Sequence, residues 1–183
     1  KSKNLWGGLM AGSLILIDSV SASNSATVTL GGADWDDSYN VYLVTNANVV
    51  PQTDTQGLLF RLLDTSNNPL TDSSYNVAWT VFRANTTPEN AYGSGTFFFG
   101  VDNYIGTASG EVANGSHYIF NANNSSEYTF VAQETSYVNN SSILRGMHGG
   151  GAYKNAVATK GVQFYMNSGN IVSGEFKLYG IKK

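Results

Sequence analysis

The stretch GVQFYMNSGNIVSGEFKLYGIKK, residues 161–183, decides the fold class. Apolar residues alternate with more polar ones on both sides of a Ser-Gly-Asn turn: Val162, Phe164 and Met166 before it, Phe176 and Leu178 after it. A period of two residues is typical of β-strands, so the stretch predicts a β-hairpin. Because a lone hairpin is only marginally stable in water, another sheet is expected to cover its apolar stripe.

Similar alternation recurs along the rest of the chain, between turns rich in Gly, Asn, Ser and Pro. The clearest strands are residues 26–30, 39–43, 58–63 and 75–83, and no segment shows a convincing helical period. About ten short strands at this spacing predict an all-β protein, a single antiparallel β-sandwich that is jelly-roll-like.

Finer expectations follow from the same patterns. Residues 14–17 are all apolar and are followed by Asp18, and this continuous apolar run predicts a strand buried on both faces. Residues 84–95 and 102–115 predict polar excursions between strands, the second ending in a tight hairpin turn at Asn114-Gly115. Residues 146–151, GMHGGG, precede no helical pattern, so they are interpreted as a loop or bulge instead of a phosphate-binding loop.

The composition limits the partners of the chain. Its 183 residues fit one domain, and the lack of cysteine excludes a disulfide scaffold and a cysteine-based zinc site. Charged residues make up only 13% and the net charge is −3. Because phosphate binding needs clustered Lys and Arg, no nucleic-acid partner is expected. No membrane partner is expected either, since the apolar run 5–17 is shorter than the roughly 20 residues that span a bilayer.

The N-terminal residues have two interpretations. Residues 1–23 combine lysines, an apolar run and small residues, which resemble a secretory signal peptide. Glycines interrupt that run, and the alternative is a docking segment, residues 1–12, before a sandwich domain, residues 13–183. The predicted assembly contacts of this segment are Leu5, Trp6, Leu9 and Met10. They are too apolar for a free tail, and Trp6 is the expected anchor.

Residues with metal or catalytic chemistry are few. Asp34, Asp36 and Asp37 offer carboxylates that suit Ca²⁺, but the glycine and distal glutamate of a helix-loop-helix calcium site are missing. A strand-entry turn, with Asp side chains capping local N–H groups, is favoured. His117 and His148 have no cysteine or second histidine at ligand spacing, so each is predicted to be a strand or loop residue with a local hydrogen bond. No metal and no other cofactor are expected.

Hydrolase chemistry has little support. No Gly-x-Ser-x-Gly elbow is present, so a serine triad is not indicated. The glutamates are sparse, and a glycosidase needs two carboxylates about 5–9.5 Å apart, a distance that sequence does not give. We therefore expect a protein that is not an enzyme.

The remaining candidates lie in the two polar excursions. Tyr92, Asn103 and Tyr104 are of the types that contact sugars through ring faces and amide hydrogen bonds, and Tyr and Asn also suit adaptable protein contacts. The competing interpretation makes them partly buried loop anchors. As receptor contacts, they predict a host surface glycan as the partner.

Several short segments follow one another in a distinctive order. They are SLILIDSVSASNSATVTL (13–30), SYNVYL (38–43), VPQTD (50–54), GE (110–111), YIFN (118–121), GVQF (161–164), SGNI (168–171), SG (173–174) and LYGI (178–181). Together they resemble a set of small virion proteins of tailed bacteriophages, many of them marine. The resemblance covers nearly the whole chain, its ending is most specific, and residues 84–106 fit it least.

The resemblance implies a jelly-roll-like sandwich on a virion, as a head decoration or a tail-fibre domain, with no catalytic residue and no cofactor. The expected function is that of a bacteriophage virion structural protein on the extracellular particle. Its expected partners are other virion proteins and copies of itself, a trimer being the favoured homo-oligomer. The alternative is a receptor- or carbohydrate-binding tail-fibre domain for host adsorption, and a third possibility is a secreted bacterial adhesive or matrix protein.

Overall fold

A computed structural model describes residues 13–182 of the chain. Within this range the chain forms twelve β-strands in two antiparallel sheets and no helix, so the all-β sandwich prediction is confirmed with slightly more strands than expected. No helix of the described range is long and apolar enough to cross a membrane. In chain order, the strands are β1 Leu14–Ser25, β2 Val28–Gly31, β3 Tyr39–Pro51, β4 Gln56–Leu63, β5 Tyr75–Arg83, β6 Thr86–Gly95, β7 Phe98–Ile105, β8 Ala113–Phe120, β9 Thr129–Val138, β10 Leu144–Tyr153, β11 Gly161–Met166 and β12 Ile171–Lys182.

The strand order is that of a jelly roll. The larger sheet has the order β1-β12-β3-β8-β9-β10-β5-β6, and the smaller sheet has the order β2-β11-β4-β7. The antiparallel pairs are nested along the chain: β4 with β7, β3 with β8, β2 with β11 and β1 with β12. From the innermost pair outwards, these pairs lie alternately in the smaller and the larger sheet. The long hairpin that they form therefore wraps around itself, as in a jelly roll.

Two inserted hairpins extend the larger sheet beyond the jelly roll. The pair β5–β6 lies between β4 and β7 in the sequence, and the pair β9–β10 lies between β8 and β11. β9 pairs with β8, and β10 pairs with β5, so the insertions continue the sheet as β9-β10-β5-β6. The larger sheet therefore has a broad outer face.

The predicted C-terminal hairpin is wrong. β11 pairs with β2 and β4 in the smaller sheet, whereas β12 pairs with β1 and β3 in the larger sheet. The turn at Gly169, where φ is +74°, carries the chain from one sheet to the other. Alternation alone does not distinguish a hairpin within one sheet from two consecutive strands in different sheets, since both arrangements give each strand one apolar face. Here the two apolar faces pack on each other, with the rings of Phe164 and Phe176 at a centroid distance of 5.2 Å.

Three polar or glycine-rich segments are strands instead of the predicted loops. Residues 84–95 contain β6, which forms an edge of the larger sheet, and edge strands need no apolar stripe. Asn114-Gly115 lies within β8, not in a hairpin turn. Residues 146–151 lie within β10, where a Cβ on Gly149 would come within 2.6 Å of the Cα of Trp79 on β5. The glycines thus permit close strand packing.

The prediction that residues 14–17 are buried on both faces is also wrong. They begin β1, the other edge strand of the larger sheet, and the side chains of Leu14 and Leu16 are about half exposed. Only one face of an edge strand in a two-layer sandwich meets the opposite sheet. Apolar residues on the second face therefore remain at the surface.

Candidate binding surface

The predicted assembly contacts Leu5, Trp6, Leu9 and Met10 lie outside the described residues. The docking interpretation of residues 1–12 therefore stays a prediction. The chain enters the described range at the start of β1, on the edge of the larger sheet.

The predicted receptor contacts do not form one site. Tyr92 lies on β6 and is 89% exposed, whereas Asn103 and Tyr104 lie on β7 of the smaller sheet. The guanidinium carbon of Arg145 lies 4.6 Å from the centre of the Tyr104 ring, a cation–π contact. Arg145 is in register with the buried Tyr137, so its side chain is directed towards the smaller sheet. Tyr104 thus belongs to the inner side of the larger sheet, and Tyr92 to its outer side.

Asn103 and Tyr104 have structural roles. The carbonyl oxygen of Asn103 accepts a hydrogen bond from the Tyr137 hydroxyl at 3.4 Å. Tyr104 has a φ of +91°, which is uncommon for a residue with a side chain. These contacts favour the anchor interpretation for Tyr104, which is 45% exposed, whereas Tyr92 has the greatest exposure of the three predicted contacts.

The outer face of the larger sheet carries two neighbouring rows of apolar side chains. One row runs across the strands as Leu16, Tyr179, Leu43 and Tyr118, and the next as Leu14, Ile181, Val41, Phe120 and Phe130. We call these nine residues the apolar band. Leu16 is 54% exposed and Phe130 is 45% exposed. The band is most exposed at its two ends, Leu14 and Leu16 on β1 and Tyr118 and Phe130 on β8 and β9, whereas Leu43 between them is only 9% exposed.

A polar row borders the apolar band. It runs in register across the sheet as Ser19, Lys177, Thr45, Ser116, Glu134, His148, Thr80 and Asn90. Nδ1 of His148 lies 3.2 Å from Oε1 of Glu134, and Thr80 Oγ1 donates to Asn90 Oδ1 at 2.7 Å. The outer face thus changes from apolar to polar within one row.

A depression lies where this polar row reaches the inserted strands. It has a volume of about 440 Å³ and lies between Tyr92 on β6 and His148 on β10. Ala78 and Thr80 of the intervening strand β5 line it, together with Asn90. We call it the Tyr92 depression. Its floor is low because the cross-strand row that holds Tyr92 continues with the small residues Ala78 and Gly150.

The two histidines occupy different environments. His117 is fully buried on β8, and its Nδ1 lies 3.1 Å from Oε1 of Gln133. Burial lowers the pKa of His117 to about 4, against the opposing effect of the Gln133 hydrogen bond, so the ring is neutral at pH 7. His148 is exposed and lies beside Glu134. Both are strand residues with hydrogen-bonding partners, as predicted, but these partners are distant in sequence.

The carboxylates have structural partners. Asp36 Oδ1 accepts from the backbone N–H of Ser38 at 2.8 Å, which confirms a capped turn before β3. The buried Glu111 accepts from the backbone N–H of Ala108 at 3.0 Å. Glu89 pairs with Arg83. In residues 13–182, no group of three or more His, Asp or Glu side chains is placed to hold a metal ion.

The sequence did contain a signal for the apolar band. In β12, Phe176 and Leu178 point inwards while Tyr179 and Ile181 point outwards, so the strand is apolar on both faces. A strand at the centre of a two-layer sandwich needs only one apolar face. The second apolar face of β12 is therefore the sequence signal for the apolar band. In comparisons with known proteins, no protein-family model and no curated protein matches this chain.

Proposed function

We propose that this chain is a non-enzymatic structural protein of a bacteriophage particle surface, a head decoration or an attached appendage, that assembles with copies of itself through the apolar band. The phage assignment rests on the sequence resemblance described above. The assembly role rests on the exposed apolar band, which is the observation that carries the proposal.

The size of the band supports a role in assembly. Its five strands, spaced about 4.8 Å apart, and its two rows of side chains give an area on the order of 300 Å². The largest apolar patch of a typical soluble monomer is about 300–600 Å² and is often functional, so the band has the size of an ordinary interaction patch. The adjoining polar row, which includes Lys177 and Thr45, provides a polar rim.

The N-terminal segment supports a second copy as the partner. A stable interface buries about 800 Å² on each partner, which exceeds the area of the band. In the sequence, residues 1–12 closely precede Leu14, a residue of the band, and they contain the large apolar residues Leu5, Trp6, Leu9 and Met10. In this proposal, the segment and the band act together in self-assembly.

Substitution in the band tests the assembly role. Leu16→Glu places a charge in the exposed band, and we expect it to convert the full-length oligomer to a monomer in size-exclusion chromatography with light scattering. The matched control is Ser19→Glu, on the same outer face of β1 but in the polar row opposite Lys177. A Leu16→Glu variant with the molar mass of the wild type, or a monomeric wild type, would contradict the assembly role.

Labelling of particles tests the location. An antibody to the chain should decorate the surface of the phage that encodes it, as seen by electron microscopy. Particles that bind no antibody and lack the chain in their protein content would contradict the virion assignment, whatever the oligomeric state of the purified protein.

The second candidate function is a receptor-binding module that contacts a host surface glycan. The observation that favours it is Tyr92, whose ring is 89% exposed on the rim of a depression. Exposed tyrosine rings provide large contact areas at low entropic cost. Adsorption of the purified protein to host cells, and competition with the phage, would test this function.

A further inference from the structure

The Tyr92 depression is lined by an aromatic ring, that of Tyr92, and by polar side chains that include His148. A sugar ring has an apolar face and hydroxyl groups that suit these two kinds of lining. Tyr92 on β6 and His148 on β10 are separated by β5 and lie in neighbouring cross-strand rows, so the two side chains rise from backbones about 12 Å apart. Between them, Ala78 leaves the floor low. The space is that of one ring-sized ligand lying beside the tyrosine.

The polar atoms of the depression are directed by their own hydrogen bonds. His148 Nδ1 lies 3.2 Å from the Glu134 carboxylate, which is an obligate acceptor when ionised, so Nδ1 carries the proton and Nε2 is an acceptor in the neutral ring. Asn90 Oδ1 accepts from Thr80, which leaves the Asn90 amide nitrogen as a donor. One acceptor and one donor thus face the same depression.

We infer that the Tyr92 depression is a subsite for a neutral pyranose ring. The apolar C–H face of the sugar packs on the Tyr92 ring, whose face is electronegative. One sugar hydroxyl donates to His148 Nε2, and a neighbouring sugar oxygen accepts from the Asn90 amide. This inference deepens the second function proposed above, and rests on it, while the assembly role of the apolar band is independent of it.

The charge near the depression selects among sugars. Glu134 lies beside His148 on the polar row. Lys177 lies on the same row but is three strands away from Glu134. An acidic sugar would therefore bring its carboxylate close to a like charge. Neutral hexoses and N-acetylhexosamines are the expected ligands, and sialylated or uronic-acid glycans are disfavoured.

A glycan array with the full-length protein, followed by calorimetric titration with methyl glycosides of the neutral sugars that bind, tests the inference. We expect Tyr92→Ala to weaken binding by roughly tenfold or more and His148→Ala to weaken it by a smaller factor. The fold should survive Tyr92→Ala because the ring is 89% exposed. The matched control is Tyr128→Ala, a tyrosine that is 44% exposed outside the depression, which should bind like the wild type.

The possible results distinguish a failure of the pyranose subsite from a failure of the receptor-binding function. Binding of a neutral glycan that is lost in Tyr92→Ala and kept in Tyr128→Ala supports the subsite. Binding that persists unchanged in Tyr92→Ala, or that is lost in Tyr104→Ala instead, overturns the subsite and leaves the receptor function standing. If no glycan binds, and the protein also fails to adsorb to host cells, both the subsite and the receptor function are overturned.

Discussion

Asn46 and His117, on the neighbouring strands β3 and β8, meet inside the sandwich with Oδ1 of Asn46 2.8 Å from Nε2 of the histidine. The other ring nitrogen faces Gln133, whose own amide nitrogen donates to the carbonyl of Phe99 at 2.6 Å. That bond leaves Gln133 Oε1 as an acceptor. The neutral His117 ring therefore donates from Nδ1. Its acceptor Nε2 requires the Asn46 amide to be turned by 180°, so that Nδ2, a buried atom with no other partner, replaces Oδ1 as the facing atom.

The burial of His117 predicts acid sensitivity. In the unfolded chain the ring takes up a proton near pH 6.5, whereas in the folded protein the pKa is about 4. Between these values the unfolded state binds more protons, so stability is complete above about pH 6.5 and falls as the pH drops towards 4. The difference corresponds to roughly 3 kcal/mol in the free energy of unfolding. Urea unfolding between pH 7 and 4.5 measures it.

A pair of variants isolates this effect from the titration of carboxylates. His117→Gln removes the buried titrating group, so its free energy of unfolding should fall less steeply with pH than that of the wild type. His148→Gln changes an exposed histidine and should keep the wild-type slope. Parallel curves for the wild type and His117→Gln would contradict the prediction.

The contact between Phe164 and Phe176 predicts a large effect of truncation in the core. Both side chains are fully buried, and Phe176→Ala should lower the free energy of unfolding by about 3–5 kcal/mol because it leaves a cavity between the sheets. Val172→Ala, on the same strand but 41% exposed, should cost under about 1 kcal/mol. Denaturant unfolding at pH 7 compares them, and equal losses would count against the packing described.

The glycines of β10 predict a steric effect. In Gly149→Ala the new Cβ would lie 2.6 Å from the Trp79 Cα, so the strands must separate, at a cost of about 1–3 kcal/mol or more. Gly95→Ala on β6 is the control, since its Cβ would meet no heavy atom within 4 Å. It should be nearly neutral or slightly stabilising. Thermal unfolding ranks the two variants, and the reverse order would refute close packing at Gly149.

The N-terminal segment predicts a loss of assembly without a loss of folding. Deletion of residues 1–12 should leave a β-rich domain by circular dichroism, because all twelve described strands lie within residues 14–182. Light scattering should show a smaller species, since four large apolar side chains are removed. Trp6→Ala in the full chain should weaken assembly in the same direction. An oligomer that both changes leave intact would disprove the docking role.

The candidate site was predictable only in part. Tyr92 was identified from residue type and its polar surroundings, and the structure leaves it exposed. Asn103 and Tyr104, the other predicted contacts, lie on the smaller sheet, whereas Tyr92 lies on the larger sheet. His148 and Thr80 join Tyr92 through strand register, and register between β10, β5 and β6 is a long-range property that local patterns do not specify.

The sequence by itself determined that this chain is an all-β sandwich. Alternation and turn composition are local, and they revealed most strands and the absence of helical periods. Only the tertiary structure decided which strands pair, because alternation shows that a strand has an apolar face but not which sheet supplies its neighbours. The stretch from Val162 to Leu178 therefore reads as a hairpin, yet it joins two sheets, and Phe164 meets Phe176 across the interior. The same limit concealed the extent of the apolar band and the Tyr92 depression, since both are formed by residues that cross-strand register brings together.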